Sequence, residues 1–149
     1  KTSISHALMF GWKYFAENNY VGHRVIDVSG NGPNNQGRRV TDVRDLVVAD
    51  GVTINGLPIL SGTRQPRGVF GTGFDLRKLD LYYTHCVAGG SGSFVLPVRE
   101  PRDITDSVRL KMIYEISRMN GEHLLKSRAL PAQVLGIQFR PPSAGQFQC

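Results

Sequence analysis

The fold is decided by residues 23–37, which read HRVIDVSGNGPNNQG. The first six of these residues form a short run rich in β-branched side chains, and such a run predicts a buried strand over 23–28. Serine, glycine, asparagine and proline dominate residues 29–37, and these residue types favour turns. The stretch therefore predicts a strand that ends in a long polar loop.

Helical and strand patterns alternate on both sides of this stretch. Upstream, Ile4, Leu8, Trp12 and Phe15 recur at the helical period, with Thr2 or Ser3 as a possible N-cap. Downstream, the spacing predicts helices over 41–50, 76–87 and 103–119 and strands over 52–59 and 93–98. The last of these helices carries an apolar stripe of Ile104, Val108, Met112 and Ile116.

An alternation of helices and strands predicts an α/β fold. Right-handed crossover connections give a mostly parallel sheet, with helices covering both of its faces. Ligands of such sheets bind in the loops at the carboxyl ends of the strands. The loop over 29–37 is therefore the best candidate for a functional surface.

The charge and hydropathy of the chain limit the kinds of partner that we expect. The chain has 149 residues, which fits one domain, and its net charge is +6. The basic residues are scattered, and Arg38-Arg39 is their longest tight grouping, so we expect no nucleic-acid partner. No apolar run approaches the ~18 residues that a transmembrane helix needs, so we expect no membrane span.

Two cysteines, Cys86 and Cys149, are too far apart in sequence for a Cys-rich zinc site or a thioredoxin-like redox motif. They either remain free thiols, which is the interpretation that we favour from the sequence, or form a disulfide if the protein is exported.

Three segments together resemble an uncharacterised bacterial family of von Willebrand factor A-like (VWA-like) proteins. They are RVIDVSGNGPNN at 24–35, GVTINGLPI at 51–59 and YYTHCVAGG at 82–90. The resemblance spans roughly residues 2–119 and implies a three-layer αβα, Rossmann-like domain. Residues 1–120 would form a partial VWA-like domain that lacks its first strands, and 121–149 a partly irregular C-terminal tail.

The resemblance also implies a degenerate metal-ion-dependent adhesion site. Thr2 matches the family's second-loop threonine, and Asn31 stands where the family pattern has Asp. The D-x-S-x-S loop belongs upstream of Lys1. Mg²⁺ and similar cations prefer charged oxygen ligands, so we expect at most weak binding of Mg²⁺ or another divalent cation. Asp27 is either a substitute ligand or, as we prefer, a buried carboxylate paired to backbone or to an arginine.

The function that the resemblance implies is a binding module for a protein partner. The expected partner-binding loop comprises Ser29, Gly30, Gly32, Asn34 and Asn35. Relatives of this kind suggest a periplasmic or extracellular location.

Two alternatives remain open. One is a hydrolase-like enzyme that uses Ser29 or Asp27, but the G-x-S-x-G elbow fails at residue 27 and no nucleophile–base–orienter set is visible. We therefore expect no enzyme activity. The other is a metal-free structural or assembly fragment. Because the partial domain would lack its first strands, the strand over 23–28 would have an open, apolar edge. Copies of the chain could self-associate through this edge.

Overall fold

The structure is a computed structural model that describes residues 1–60, 74–100, 103–119 and 149. Its elements are, in chain order, α1 (Ile4–Glu17), β1 (Val25–Gly30), α2 (Val40–Ala49), β2 (Thr53–Pro58), a 3₁₀ turn (Leu76–Lys78), α3 (Leu79–Tyr82), a π-helical turn (Tyr83–Val87) and α4 (Asp103–Met119). The predicted helix over 76–87 is one continuous helical segment in which the hydrogen-bonding pattern changes twice.

The sheet is parallel, as the alternation of elements predicts. β1 pairs with β2 in a register that sets Val25 opposite Thr53 and Gly30 opposite Pro58. The connection between them passes through α2, so the α/β class is confirmed.

The predicted third strand lies beside β2 but does not form a continuous strand. Val95 is bridged in parallel to Gly56, and Val98 is bridged in parallel to Ile59, with the same register at both points. Between the two bridges stands Pro58, which has no N–H to donate to the neighbouring chain. The ladder is therefore interrupted, and the prediction of a regular strand over 93–98 was wrong in this respect.

One face of the sheet carries the core. Ile26 packs closely against α1, where a Cβ added at Gly11 would lie 3.0 Å from its Cδ1 atom. Tyr83 lies across Gly56, where an added Cβ would come within 2.9 Å of its ring. The buried core comprises Ile4, Leu8, Val28, Val40, Val43, Val47, Val52, Ile54, Leu60, Leu79, Tyr82, Tyr83, Cys86 and Val87. It fills the space between this face and the helices α1, α2 and the 76–87 segment.

The opposite face is contacted by α4, so helices lie on both sides of the sheet. Lys111 of α4 forms an ion pair with Asp27 of β1, with 2.5 Å between Nζ and Oδ2. The apolar stripe of α4 is not buried by this contact: its four side chains are 38% to 54% exposed. α4 therefore meets the sheet through a polar contact, whereas α1 and α2 pack through their apolar faces.

Cys86 and Cys149 form a disulfide, with their Cα atoms 5.7 Å apart. The preference for free thiols was wrong because a separation of 63 residues says nothing about proximity in space. The remainder of the predicted tail, residues 121–148, lies outside the described residues. Within the described ranges, no helix has the length and apolar character needed to cross a bilayer.

Candidate functional site

Asn34 connects the polar loop to two other parts of the molecule. Its side-chain Oδ1 accepts a hydrogen bond from the Ser5 N–H at 3.0 Å, and its Nδ2 donates to the Arg38 carbonyl at 3.0 Å. Its backbone N–H donates to the Tyr82 hydroxyl at 3.1 Å. One asparagine therefore joins the loop to the first turn of α1 and to a buried ring of the 76–87 segment.

Asn35 forms a reciprocal pair with Thr2. The Thr2 N–H donates to Asn35 Oδ1 at 2.8 Å, and the Asn35 N–H donates to the Thr2 carbonyl at 3.0 Å. A Cβ added at Gly32 would lie 3.5 Å from the Thr2 hydroxyl oxygen, so Thr2 also lies beside the tip of the loop. The structure thus brings residue 2 together with residues 31–35 at the carboxyl end of β1.

The start of α1 is capped by this loop instead of by its own N-cap residue. Ser3 is the N-cap, but its side chain makes no capping hydrogen bond to the helix. Its hydroxyl donates instead to the Gln36 carbonyl at 2.9 Å. The Ser5 N–H, one of the N–H groups that a helix leaves without an internal partner, is satisfied by Asn34. Gly37 has φ +88° and lies against both serine hydroxyls, where an added Cβ would meet Ser5 Oγ at 2.9 Å.

We call residues 2–5 and 30–37 together the loop surface. Asn31 and Asn35 are exposed on it, Asn34 and Thr2 are half-buried, and Gly32 is buried. Arg38 and Arg39 are exposed directly after it, so the surface is bordered by positive charge.

The loop surface does not fit a tight divalent-cation site. Its two suggested donors, the Thr2 hydroxyl and the Asn31 amide, are both neutral, whereas Mg²⁺ sites usually include carboxylates. The amide oxygens of Asn34 and Asn35 are already used as hydrogen-bond acceptors. Across the described ranges, no group of three or more His, Cys, Asp or Glu residues is placed to hold a metal ion.

Asp27 lies apart from Thr2 and Asn31. Side chains alternate along a strand, and Ile26 faces the core, so Asp27 points to the opposite face. There its carboxylate pairs with Lys111 and accepts a hydrogen bond from Asn55 Nδ2 at 3.2 Å. The side chain is 37% exposed, so the expectation of a buried carboxylate paired to backbone or to an arginine was wrong.

Ser29 shares this opposite face with Asp27. A cleft of about 120 Å³ runs between the sheet and α4 and is lined by Asp27, Ser29, Leu57, Phe94, Val108 and Lys111, among others. Among the described residues, no hydrogen bond joins the Ser29 hydroxyl to a base. The cleft therefore holds a hydroxyl and an ion pair, without the contact that would activate a nucleophile.

Two buried tyrosines, Tyr82 and Tyr83, support the loop. Burial raises the pKa of Tyr82, although the hydrogen bond from Asn34 opposes this rise. Burial also raises the pKa of Tyr83, which is 0% exposed. A Cβ added at Gly30 would come within 2.8 Å of the Tyr83 hydroxyl, so this packing requires a glycine at the end of β1. The tyrosine doublet marked the segment, but nothing local indicated that one ring reaches the loop.

Comparison with known proteins gives a family. The model of a family described as a protein of unknown function, DUF1194, matches residues 1–120. This span agrees with the 2–119 over which the sequence resembles an uncharacterised family. No curated protein and no solved structure matches the chain. Because the match covers well over half of its residues, the chain belongs to the DUF1194 family of proteins of unknown function.

Proposed function

We propose that the chain is a VWA-like interaction module that binds a protein partner through the loop surface. The observation that supports this most is the set of hydrogen bonds between the loop and the start of α1. Asn34 bonds to Ser5, and Asn35 bonds to Thr2. A surface that is ordered before binding loses less conformational entropy when a partner docks. Its position at the carboxyl end of a parallel strand is where α/β sheets generally bind ligands.

The chemistry of the loop surface favours an acidic partner. Exposed Arg38 and Arg39 can pair directly with a carboxylate, since guanidinium groups bind carboxylates through two parallel hydrogen bonds. Thr2 and Asn31 can add neutral oxygen ligands to a cation. We therefore propose at most weak binding of Mg²⁺ or a similar ion, with no dependence of partner binding on it.

An exported location fits this function. The disulfide between Cys86 and Cys149 supports an oxidising compartment, because such bonds persist mainly outside the cytosol. We therefore propose a periplasmic or extracellular location for the module.

Site-specific photo-crosslinking in the source cells tests the proposed function. A photoreactive residue at Asn31 or Gln36, both exposed on the loop surface, should capture the same protein. Replacing both Arg38 and Arg39 with Ala should remove the product. The matched control places the same group at exposed Leu46 of α2. Identical products from the control position, or no product from either loop position, would rule out the loop surface as the binding site.

A second candidate function, a hydrolase-like enzyme, is favoured by one observation. Ser29 and Asp27 share a cleft with Lys111, which brings a hydroxyl, a carboxylate and an ammonium together. Turnover of p-nitrophenyl esters that is abolished by Ser29→Ala would establish this function, and the absence of turnover would leave the interaction module.

A further inference from the structure

Asparagine followed by glycine occurs twice in the part of the chain that the structure describes, at Asn31-Gly32 and at Asn55-Gly56. In this dipeptide the backbone nitrogen of the glycine can attack the side-chain carbonyl carbon of the asparagine. Glycine permits the attack because it has no Cβ to block the approach of the two groups. The two pairs have the same intrinsic chemistry, so the surrounding structure decides which of them reacts.

Hydrogen bonds hold Asn55-Gly56 in place. Asn55 is 3% exposed, its Nδ2 donates to Asp27 Oδ1 at 3.2 Å, and its Oδ1 accepts from the Phe94 N–H at 3.3 Å. The Gly56 N–H, which carries the attacking nitrogen, donates to the Phe94 carbonyl at 2.9 Å. Attack at Asn55 therefore requires these bonds to break within a paired strand.

Asn31-Gly32 lies in a bend after β1, and no hydrogen bond holds its reacting groups. Asn31 is exposed, and across residues 1–60, 74–100 and 103–119 neither its carboxamide nor the Gly32 N–H has a hydrogen-bond partner. Gly32 is itself buried, but the group that faces it is the Thr2 hydroxyl, whose oxygen would lie 3.5 Å from an added Cβ. The two reacting groups can therefore meet without opening of the sheet or of a helix.

We propose that Asn31 is a site of spontaneous deamidation, which places a carboxylate on the loop surface. The Gly32 nitrogen forms a bond to Asn31 Cγ, the Cγ–Nδ2 bond breaks, and ammonia leaves with the proton of the Gly32 N–H. Water then adds to either carbonyl of the resulting cyclic imide, and the C–N bond to that carbonyl breaks. The products are aspartate and isoaspartate at position 31, each with one new ionised carboxyl group. The reaction consumes only water.

The new charge changes the chemistry of the loop surface. Asn31 is neutral, and exposed Arg38 and Arg39 border this surface. A carboxylate at position 31 repels an acidic partner and competes with it for the two guanidinium groups. Deamidation is thus an irreversible step that weakens capture of the partner. This effect rests on the function proposed for the loop surface, whereas the reaction at Asn31 does not.

Incubation of the purified chain at mildly alkaline pH, followed by tryptic digestion and mass spectrometry, tests the reaction. Asn31 lies in the tryptic peptide 25–38 and Asn55 in the peptide 45–64, and fragment ions localise the modified residue within each peptide. In the folded chain Asn31 should deamidate at least ~10-fold faster than Asn55, because Asn55 reacts only after local opening of β2. In denaturant the two rates should be similar. Equal rates in the folded chain would overturn the proposal.

Gly32→Ala is the matched variant. An added Cβ at this position makes an ordinary van der Waals contact with the Thr2 hydroxyl, so the fold tolerates it. The same Cβ hinders attack by the backbone nitrogen, and deamidation of Asn31 should slow about 10-fold while that of Asn55 stays unchanged. An undiminished rate at Asn31 would contradict the route through the cyclic imide.

Crosslinking measures the effect on binding. Fresh chain and fully deamidated chain, each with a photoreactive residue at Gln36, are added to an extract of the source cells. The yield of the crosslinked product should fall about 2- to 5-fold after deamidation, and Asn31→Asp should reproduce the loss. Equal yields would overturn the effect on binding. Absence of product from both chains, with Asn31 still reactive, would reject the proposed function and leave the modification site standing.

Discussion

Removing the hydroxyl of Tyr83 should make the protein more stable. The side chain is 0% exposed, and among the described residues its oxygen finds no hydrogen-bond partner. A buried polar group left in this state costs roughly 1–3 kcal/mol, and phenylalanine keeps the shape of the ring without this cost. We expect Tyr83→Phe to raise the free energy of unfolding by about 1 kcal/mol. For a chain of this length, that corresponds to an increase of ~3 °C in melting temperature.

Tyr82→Phe is the matched control, since the neighbouring ring is buried equally but its hydroxyl accepts a hydrogen bond from the Asn34 N–H. This change should lower the free energy of unfolding by about 1 kcal/mol, because it leaves that N–H without its acceptor. Urea unfolding followed by circular dichroism measures both variants. Destabilisation by Tyr83→Phe equal to that by Tyr82→Phe would refute the reasoning.

Gly30 provides an independent check through the same atom. A Cβ added there would come within 2.8 Å of the Tyr83 hydroxyl oxygen, so Gly30→Ala should cost about 1–3 kcal/mol in the wild-type chain. In the Tyr83→Phe chain the clashing oxygen is absent, and most of this cost should disappear. The double-mutant cycle should therefore show a coupling of about 1 kcal/mol or more. A coupling near zero would mean that the hydroxyl lies elsewhere.

Three further changes test other parts of the structure. Asn31→Asp should strengthen binding of Mg²⁺, measured by calorimetry, whereas the control Asn19→Asp, at the far end of α1, should not. Micromolar affinity for Mg²⁺ in the wild-type chain would contradict a degenerate site. A hydrogen bond from Trp12, together with the adjacent Arg24, holds the pKa of Asp50 below its ordinary value of 3.8. The ionised Asp50 carboxylate therefore stabilises the fold above about pH 4, and this stabilisation is lost as the pH falls through the lowered pKa. Fluorescence of Trp12, the single tryptophan, should show this loss on acidification and a smaller change in Asp50→Asn, whereas identical profiles would contradict it. Reduction of the disulfide should lower the free energy of unfolding by about 4 kcal/mol on loop-entropy grounds, and an unchanged urea midpoint in reductant would contradict it.

The local pattern of the sequence was sufficient for the elements that pack through their own apolar faces. The spacing of Ile4 and Leu8 indicated which side of α1 is buried, and both residues are buried in the structure. The run over 23–28 predicted β1, although the strand in the structure spans Val25–Gly30 and so ends two residues later than predicted. These features depend on residues close in sequence, so one sequence shows them directly.

The features that the sequence did not reveal depend on contacts between distant segments. The Asn34 side chain caps α1 from 29 residues away, and its N–H meets a ring 48 residues away. Similarly, the partner of Asp27 lies on α4, and no local signal connects the two residues. The interruption of the third strand was visible in the sequence at Pro58. A proline inside a predicted strand has no N–H to donate to a neighbouring strand.

The proposed function requires the loop and the start of α1 to form one ordered surface before any partner binds. Amide hydrogen exchange at Ser5, Asn34 and Asn35 in the isolated chain tests this directly. The Ser5 and Asn35 N–H groups donate to acceptors across the loop surface, and the Asn34 N–H donates to the buried Tyr82 hydroxyl beneath it. We predict exchange at least ~100-fold slower than in an unstructured peptide at all three amides, and a shared loss of this protection in Asn34→Ala. Exchange at unstructured rates in the wild-type chain would show that the surface does not exist before binding.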